Sequence, residues 1–171
     1  MGEVGGSKGC KILRDYLINS KGDLAQIGKD YVGGGCPKLE GVDLTSAKND
    51  EGYAVLGWVF LKMGEREKIG GFEYNRLMGV RDEEVLKMGI EVILSVYVSE
   101  SEEILIKLFE GIEDWELRKV IVRVLGNIGG GRSLSYLEGF LGGSGGGEAM
   151  PYGLVVEISS AVERLKQKLN K

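Results

Sequence analysis

Apolar residues near the middle of the second half of the chain recur every three or four positions. They are Leu117, Ile121, Val124, Leu125 and Ile128. This spacing places them on one side of a helix with about 3.6 residues per turn, whereas a half-buried strand would alternate apolar and polar residues. Asp114 precedes the run, and its carboxylate is expected to cap the helix. The pattern therefore predicts an amphipathic helix that starts next to Asp114.

The same pattern recurs 32 residues upstream and again 32 residues before that. Asp82 and Asp50 stand where Asp114 stands, and acidic residues follow each of them in the first turn, where the helix dipole favours negative charge. The matching apolar positions are Val85, Gly89, Val92, Ile93 and Val96 in one copy and Tyr53, Gly57, Phe60, Leu61 and Gly64 in the other. Three long helices with aspartate caps are predicted.

A second, shorter helix follows in each unit of the repeat. Its apolar positions are Ile104, Leu105, Leu108 and Phe109 in one copy and Leu134, Leu137, Phe140 and Leu141 in the next. Ser99 with Glu102 has the spacing of a capping box, and Ser133 is placed to cap the later copy. Three glycines recur where a left-handed residue would end a helix, namely Gly79, Gly111 and Gly143. Each unit is therefore predicted to be two helices and a turn.

A helix pair of this length cannot bury both of its apolar faces alone, so successive pairs are expected to stack. The predicted fold is all-α, an α-solenoid (armadillo-like superhelix) of three to four helical hairpins. The repeats fall at about 48–79, 80–111 and 112–147, with a final half-repeat at 148–171 that caps the stack. Five extra residues between the last two copies are assigned to the loop Gly142 to Gly147.

The N-terminal part carries a degenerate version of this pattern. Residues 1–9 are expected to be flexible, and residues 10–171 to form a single domain. Helices are predicted at Cys10 to Asn19 and at Asp23 to Val32, followed by a glycine-rich loop from Gly33 to Gly41. These two helices are expected to cover the N-terminal end of the stack, and whether they form a true repeat stays open.

The best-marked copy resembles a known family. Its run of Asp114, Leu117, Arg118, Ile121, Val124, Leu125, Gly126 and Ile128 is similar to the HEAT-like repeat, especially the short variety of phycobilisome lyase subunits and other prokaryotic proteins. The resemblance covers roughly residues 48–168. Leu86 and Ala54 replace the arginine in the other copies, and Leu94 and Trp58 replace the glycine. The resemblance implies an armadillo-like superhelix that serves as a scaffold or regulatory binding surface, and it does not imply lyase activity.

The absence of histidine removes several classes of chemistry. With no histidine in 171 residues, Ser-His-Asp and Cys-His catalysis and histidine-containing zinc sites are excluded. Catalysis by carboxylates or a lysine stays open, but no acid pair stands apart from what reads as solvated helix surface. We expect no catalytic site, no cofactor and no metal.

Two cysteines and the lack of a long apolar run suggest a location. No run approaches the roughly 20 residues of a membrane span, and the N-terminus lacks the apolar stretch of a signal peptide. A cytoplasmic protein without membrane contact is therefore expected. In a reducing compartment, a disulfide between Cys10 and Cys36 is not expected.

One pattern resembles a phosphate-binding loop. Gly126, Gly131, Arg132 and Ser133 match the P-loop except that arginine replaces its lysine. The preceding residues belong to the helical repeat, and no strand ending in an aspartate for magnesium is evident. A nucleotide-binding enzyme is therefore only a lesser alternative.

Two glycines lie inside predicted helices. Gly57 and Gly89 occupy matching positions on the apolar faces of successive helices. Glycine costs about 1 kcal/mol in helix propensity, so a packing reason is expected. We predict that they let neighbouring backbones approach closely.

The aromatic residues and the second helices supply the candidate binding residues. Trp115 lies in the first turn of its helix, either as a surface anchor or packed near Phe109 and Ile112, while Trp58 is expected in the core. Arg118 is expected to pair with Asp114 one turn earlier. The second helices should line the concave surface, and they offer Arg76, Lys107, Arg132 and Tyr136 together with Glu73, Glu102, Glu103, Glu110 and Glu138.

This mixed surface favours a protein partner. Nucleic-acid binding, with a role such as DNA repair, is the alternative, but it needs a basic track because phosphate contacts dominate affinity. The net charge is −4, and no stripe of lysine and arginine is present. The predicted function is a non-catalytic protein-binding module, with Trp115, Arg76, Lys107, Arg132 and Tyr136 as candidate contacts. The partner's identity and the oligomeric state stay open.

Overall fold

The computed structural model describes residues 6–143 and 149–171, and this part of the chain is helical without any strand. The α-helices are α1 (Ser7–Asn19), α2 (Leu24–Gly33), α3 (Asp50–Lys62), α4 (Glu83–Val96), α5 (Ser101–Gly111), α6 (Trp115–Ile128), α7 (Gly131–Leu141) and α8 (Tyr152–Leu169). Short 3₁₀ segments lie at Leu44–Ser46, Arg66–Lys68 and Tyr74–Gly79. The predicted all-α class is confirmed. No helix in these two ranges combines the length and the apolar character that crossing a membrane requires.

The chain divides into two compact units. The first unit ends at Val98 and the second begins at Ser99. This border falls between α4 and α5, inside the predicted repeat 80–111. The first unit holds α1 to α4 and the second holds α5 to α8.

Helix α3 is the centre of the first unit. It contacts α1, α2, α4 and the 3₁₀ segments, and every residue from Gly52 to Phe60 is buried. A helix surrounded in this way is apolar all round instead of on one stripe. Trp58 is 9% exposed, so its predicted place in the core is confirmed.

The two helix glycines sit under large side chains. A Cβ atom added to Gly57 would lie 2.6 Å from the Phe72 ring, and one added to Gly89 would overlap Leu77. The expectation of close packing is confirmed, but side chains, not backbones, make the approach. Phe72 and Leu77 come from the connection between α3 and α4, which these glycines allow to pack flat against both helices.

That connection differs from the prediction. A second helix was expected in the repeat 48–79, but the structure has only the 3₁₀ segments Arg66–Lys68 and Tyr74–Gly79. Gly70 and Gly71 separate them, and glycine disfavours a continuous helix. The first repeat therefore lacks a full second α-helix.

A disulfide joins Cys10 of α1 to Cys36, so the expectation of free cysteines was wrong. The two Cα atoms are 5.5 Å apart although 26 residues separate them along the chain. Gly35 has a φ of +66°, which turns the chain back after α2 toward α1. The α1–α2 hairpin, invisible to residue counting, brings the sulfurs together.

The predicted flexible N-terminus and the predicted loop near position 145 are only partly described. Helix α1 begins at Ser7, so residues 7–9 are helical, and residues 1–5 lie outside the described part of the chain. Of the loop from Gly142 to Gly147, only its first two residues are described. The predicted helices at 10–19 and 23–32 correspond to α1 and α2, and Asp23 caps α2 by accepting from the Gln26 backbone NH.

Two of the three predicted aspartate N-caps are confirmed. Asp82 and Asp114 accept backbone NH groups at the starts of α4 and α6. Asp50 does not cap α3, because Asn49 does so one residue earlier. Of the three glycines predicted to be left-handed, Gly143 has a φ of +78°, whereas Gly79 and Gly111 simply end a 3₁₀ segment and α5 without a positive φ.

In the second unit, α6 packs against α5 and α8, and α7 packs against α8 and α5. A Cβ atom added to Gly126 would lie 3.0 Å from the Ala161 Cα atom, so α6 and α8 pass each other closely there. Helix α6 continues through Gly126 to Ile128, and α7 begins at Gly131, so the stretch resembling a phosphate loop follows a helix and lacks the strand that such a loop follows.

Candidate functional site

Helices α5 and α7 lie in contact in the second unit and present three of the predicted residues on one surface. Lys107 of α5 and Arg132 of α7 both pair with Glu103, at 3.0 and 3.3 Å. A hydrogen bond from Lys107, together with the charges of Lys107 and Arg132, lowers the pKa of the Glu103 carboxyl. We call the surface of Glu103, Lys107, Arg132, Tyr136 and Phe140 the α5–α7 face.

Tyr136 is the aromatic centre of the α5–α7 face. Its ring is half-buried and meets Phe109 and Phe140 edge to face, with centroid distances of 6.0 and 5.3 Å. Such edge-to-face pairs add about 0.5–1.5 kcal/mol beyond area burial. The hydroxyl donates to Glu110 Oε1 at 3.2 Å. Burial, and then the charge of Glu110, raise the pKa of the Tyr136 hydroxyl, so it remains neutral and available as a donor.

Trp115 is linked to this aromatic centre through Arg118. The Arg118 guanidinium carbon lies 4.4 Å from the Trp115 ring centroid and 5.2 Å from that of Phe109. A cation held against aromatic faces at such distances is attracted by about 0.5–2 kcal/mol. Trp115 is therefore half-buried, and Arg118 lies against both its ring and that of Phe109.

The predicted Asp114–Arg118 pair is replaced by two separate contacts. Asp114 Oδ1 accepts the backbone NH groups of Glu116 and Leu117, as an N-cap. Arg118 Nε donates to the Ile112 backbone oxygen instead. Arg118 thereby links to the turn between α5 and α6 while its guanidinium lies against the two rings.

Glu102 has a role that the sequence did not predict. Its Oε1 atom accepts from Gly130 N at 3.0 Å, Ser133 N at 2.7 Å and Ser133 Oγ at 2.6 Å. Helix α7 begins at Gly131 after a glycine that has no capping side chain, so Glu102 of α5 satisfies its first NH groups. The capping box expected from Ser99 and Glu102 is absent, because Glu100 takes the N-cap position of α5.

Arg76 belongs to a different environment. It lies in a 3₁₀ segment of the first unit, with its Nε 2.8 Å from Asp50 Oδ1 and its guanidinium carbon 4.1 Å from the Tyr53 ring centroid. The second helix that was predicted to carry it is not formed. Arg76 is therefore described within the first unit, and Lys107, Arg132 and Tyr136 within the second.

The sequence itself indicates two of the aromatic residues of the α5–α7 face. Tyr136 and Phe140 are four residues apart on α7, which places them on one side of the helix. Phe109 of α5 stands one 32-residue period before Leu141, so its ring contacts with Tyr136 and Phe140 depend on how α5 and α7 pack. Arg118 carried no such signal, since its link to Phe109 depends on how α5 and α6 pack.

The arrangement offers recognition chemistry, namely half-exposed rings, a neutral hydroxyl donor and two cations around one carboxylate. Among residues 6–143 and 149–171, no group of three or more cysteine, aspartate or glutamate residues is arranged so that it could hold a metal ion. Comparison with protein-family models, with curated proteins and with solved structures gives no match to this chain.

Proposed function

We propose that this chain is a HEAT-like helical-repeat protein that binds a protein partner without catalysing a reaction. The long helices begin at Asp50, Glu83 and Trp115, which keeps the 32-residue period to within one residue. Helix pairs at this period stack into α-solenoids, whose extended surfaces commonly serve binding. The regular helix starts support the solenoid and the resemblance to HEAT-like repeats.

The observation that carries the proposal is the composition of the α5–α7 face. Protein interfaces concentrate their binding energy in aromatic and arginine side chains at the centre, surrounded by polar groups. Tyr136 and Phe140 supply a half-exposed aromatic centre, and Glu103, Lys107 and Arg132 surround it with charges of both signs. These side chains are held in place by ring contacts and ion pairs, so ordering them on binding costs little entropy.

The same face opposes the nucleic-acid alternative. Lys107 and Arg132 both bind Glu103, and the Tyr136 hydroxyl donates to Glu110, so the face holds two carboxylates as well as two cations. A phosphate backbone would have to displace those carboxylates, and Glu110 would repel it. An acidic or mixed protein surface with its own arginine or aromatic residues fits this charge pattern better.

The test is to capture binding proteins from a lysate of the source organism, after nuclease treatment, on the wild-type chain and on matched variants. Tyr136→Ala removes the aromatic centre, whereas Tyr152→Ala removes an aromatic ring that is 83% exposed at the start of α8. We expect a recurrent, near-stoichiometric protein on the wild type and on Tyr152→Ala, and at least tenfold less of it on Tyr136→Ala.

Two further variants separate binding from folding. Tyr136→Phe keeps the ring contacts and loses only the bond to Glu110, so it should retain most of the captured protein. Arg132→Glu changes a side chain that is 64% exposed, so it should leave the melting temperature nearly unchanged while weakening capture. The proposal is wrong if Tyr136→Ala, Trp115→Ala and Arg132→Glu, each folded by circular dichroism, all bind the partner like the wild type. It is equally wrong if all captured proteins disappear on nuclease treatment.

A further inference from the structure

A cleft in the first unit lies between α1 and the loop that follows α2. One lobe has a volume of about 390 Å³ and the adjoining lobe about 530 Å³. The principal lining residues are Cys10, Lys11, Arg14, Tyr31, Pro37 and Lys38. Arg14, Tyr31 and Pro37 line both lobes, so the two form one continuous cleft. Each lobe is within the size range of small-molecule sites.

The cleft is basic although the chain as a whole is acidic. Among the described residues, Lys11, Arg14 and Lys38 line it together with one acidic residue, Glu40, while the chain has a net charge of −4. In residues 6–143 and 149–171, none of these three cations takes part in an ion pair. Arg14 is held by a hydrogen bond to the Glu40 backbone oxygen at 3.3 Å, which fixes the guanidinium without neutralising it.

The walls of the cleft are fixed before any ligand binds. The Cys10–Cys36 disulfide joins α1 to the loop, and the buried Tyr31 hydroxyl donates to the Pro37 backbone oxygen at 2.6 Å. On the far side of the loop, Lys68 binds the Leu39 backbone oxygen at 2.8 Å. Prepositioned cations bind anions more tightly than mobile ones, because less side-chain and loop entropy is lost.

The nearest buried carboxylate does not cancel this basic character. Glu65 is 4% exposed. Burial raises the pKa of the Tyr31 hydroxyl, the charge of Arg14 acts in the opposite direction, and the charge of Glu65 adds to the rise. Lys68 pairs with Glu65 at 3.0 Å and so neutralises it within the unit. The excess positive charge at the cleft therefore comes from Lys11, Arg14 and Lys38.

We propose that this cleft binds a small molecule carrying a multivalent oxyanion, either a diphosphate or a polycarboxylate group. Arg14 offers a planar donor pair suited to an oxyanion, and Lys11 and Lys38 add point charges from the two sides. Pro37, which is exposed, supplies an apolar wall for an uncharged part of the ligand, with the largely buried Cys10 and Tyr31 behind it. This site lies in the first unit and is independent of the α5–α7 face.

The test is isothermal titration calorimetry with pyrophosphate and, separately, with citrate, at constant ionic strength. The cleft variant Lys11→Gln/Lys38→Gln removes two positive charges from exposed positions. The matched control Lys21→Gln/Lys48→Gln removes the same charge from exposed lysines of the same unit that do not line the cleft. We expect saturable binding by the wild type, binding at least tenfold weaker by the cleft variant, and binding within twofold of wild type by the control.

Amide chemical shifts locate the bound anion. On adding pyrophosphate, residues 10–15 and 34–40 should move together and saturate with the calorimetric affinity. Preference for pyrophosphate or for citrate would assign the oxyanion to phosphates or carboxylates, and either result supports the site. The proposal is overturned if neither anion binds, if the two double variants weaken binding equally, or if the shifts fall outside these two segments.

Discussion

The two units of this protein hold their helices and loops in different ways. In the first unit, the disulfide between Cys10 and Cys36 closes the α1–α2 hairpin covalently. The Tyr31 hydroxyl holds the loop after α2 by donating a hydrogen bond to the Pro37 backbone oxygen. In the second unit, charged side chains of one helix reach the end of another. The first arrangement depends on redox conditions and the second on protonation, so the two units should respond to different treatments.

Lys168 of α8 contacts the C-terminal end of α6, so a charged side chain from another helix also reaches a helix end there. Its Nζ atom lies 3.0, 3.3 and 3.4 Å from the backbone oxygens of Gly129, Ile128 and Asn127, where α6 ends. A cation at the C-terminus of a helix satisfies its last carbonyl groups and is favoured by the dipole. Glu102 does the reverse at the start of α7, so helix ends in this unit are capped from α5 and α8.

The largest expected effect is loss of the disulfide. Cys10→Ser/Cys36→Ser should lower the free energy of unfolding by about 2–4 kcal/mol, because a closed loop with a sequence separation of 26 no longer restricts the unfolded chain. Urea unfolding followed by circular dichroism measures this loss, and amide exchange should show it first in α1 and α2. Dithiothreitol should weaken the wild type by a similar amount.

The serine double variant is its own control, since dithiothreitol should not change its unfolding. If amide protection falls as much in α7 as in α1, the contrast between the two units is wrong. If reduction leaves the wild type unchanged, the disulfide contributes nothing to the stability of the first unit.

The next effect should appear in acid and should be confined to the second unit. Glu102→Ala should cost about 1–2 kcal/mol at pH 7, because the start of α7 loses its cap. Burial raises the pKa of Glu102, but hydrogen bonds from Ser133 and Gly130 and the charge of Arg132 outweigh it and hold that pKa below its ordinary value of 4.5. The stabilisation is therefore fully present above the unfolded pKa and is lost as pH falls through the folded one.

Unfolding of the wild type, Glu102→Gln and Glu103→Gln should be compared between pH 7 and pH 3. The difference between wild type and Glu102→Gln should shrink as the solution is acidified below about pH 4.5. Glu103 lies next in the chain but caps no helix, so Glu103→Gln should leave the stability at pH 7 nearly unchanged. A constant difference for Glu102→Gln across this range would contradict the role of its charge.

The sequence predicted features that depend on neighbouring residues and missed those that depend on packing. The starts of α4 and α6 followed from Asp82 and Asp114, since an N-cap acts within four residues. Ser99 and Glu102 have the local spacing of a capping box, yet Glu102 binds α7 because the contact of α5 with α7 places those NH groups within reach. The disulfide was missed for the same reason.

The candidate site shows the same difference between residues that the sequence places correctly and residues whose place depends on the folded structure. Lys107, Arg132 and Tyr136 were predicted to share a surface because they lie on second helices of successive repeats, and the structure brings them together in the second unit. Arg76 was included by the same argument, but the first repeat forms 3₁₀ turns in place of the second helix that was expected to carry it. Periodicity located these positions along the chain but did not report whether each segment completes a helix.

The smallest expected effect concerns the N-cap of α3, which the 32-residue period and the structure assign to different residues. The 32-residue period assigns the cap to Asp50, but Asn49 Oδ1 accepts from the Gly52 NH at 2.8 Å while Asp50 pairs with Arg76 at 2.8 Å. Asn49→Ala should cost about 1 kcal/mol, as Asp82→Ala should at α4, because each leaves a helix NH group without its partner. Asp50→Ala should cost only a few tenths of a kcal/mol, since the pair it breaks is partly exposed to water. Urea unfolding of the three variants ranks them. If Asp50→Ala proves as costly as Asp82→Ala while Asn49→Ala is neutral, the period describes the start of α3 better than this geometry does.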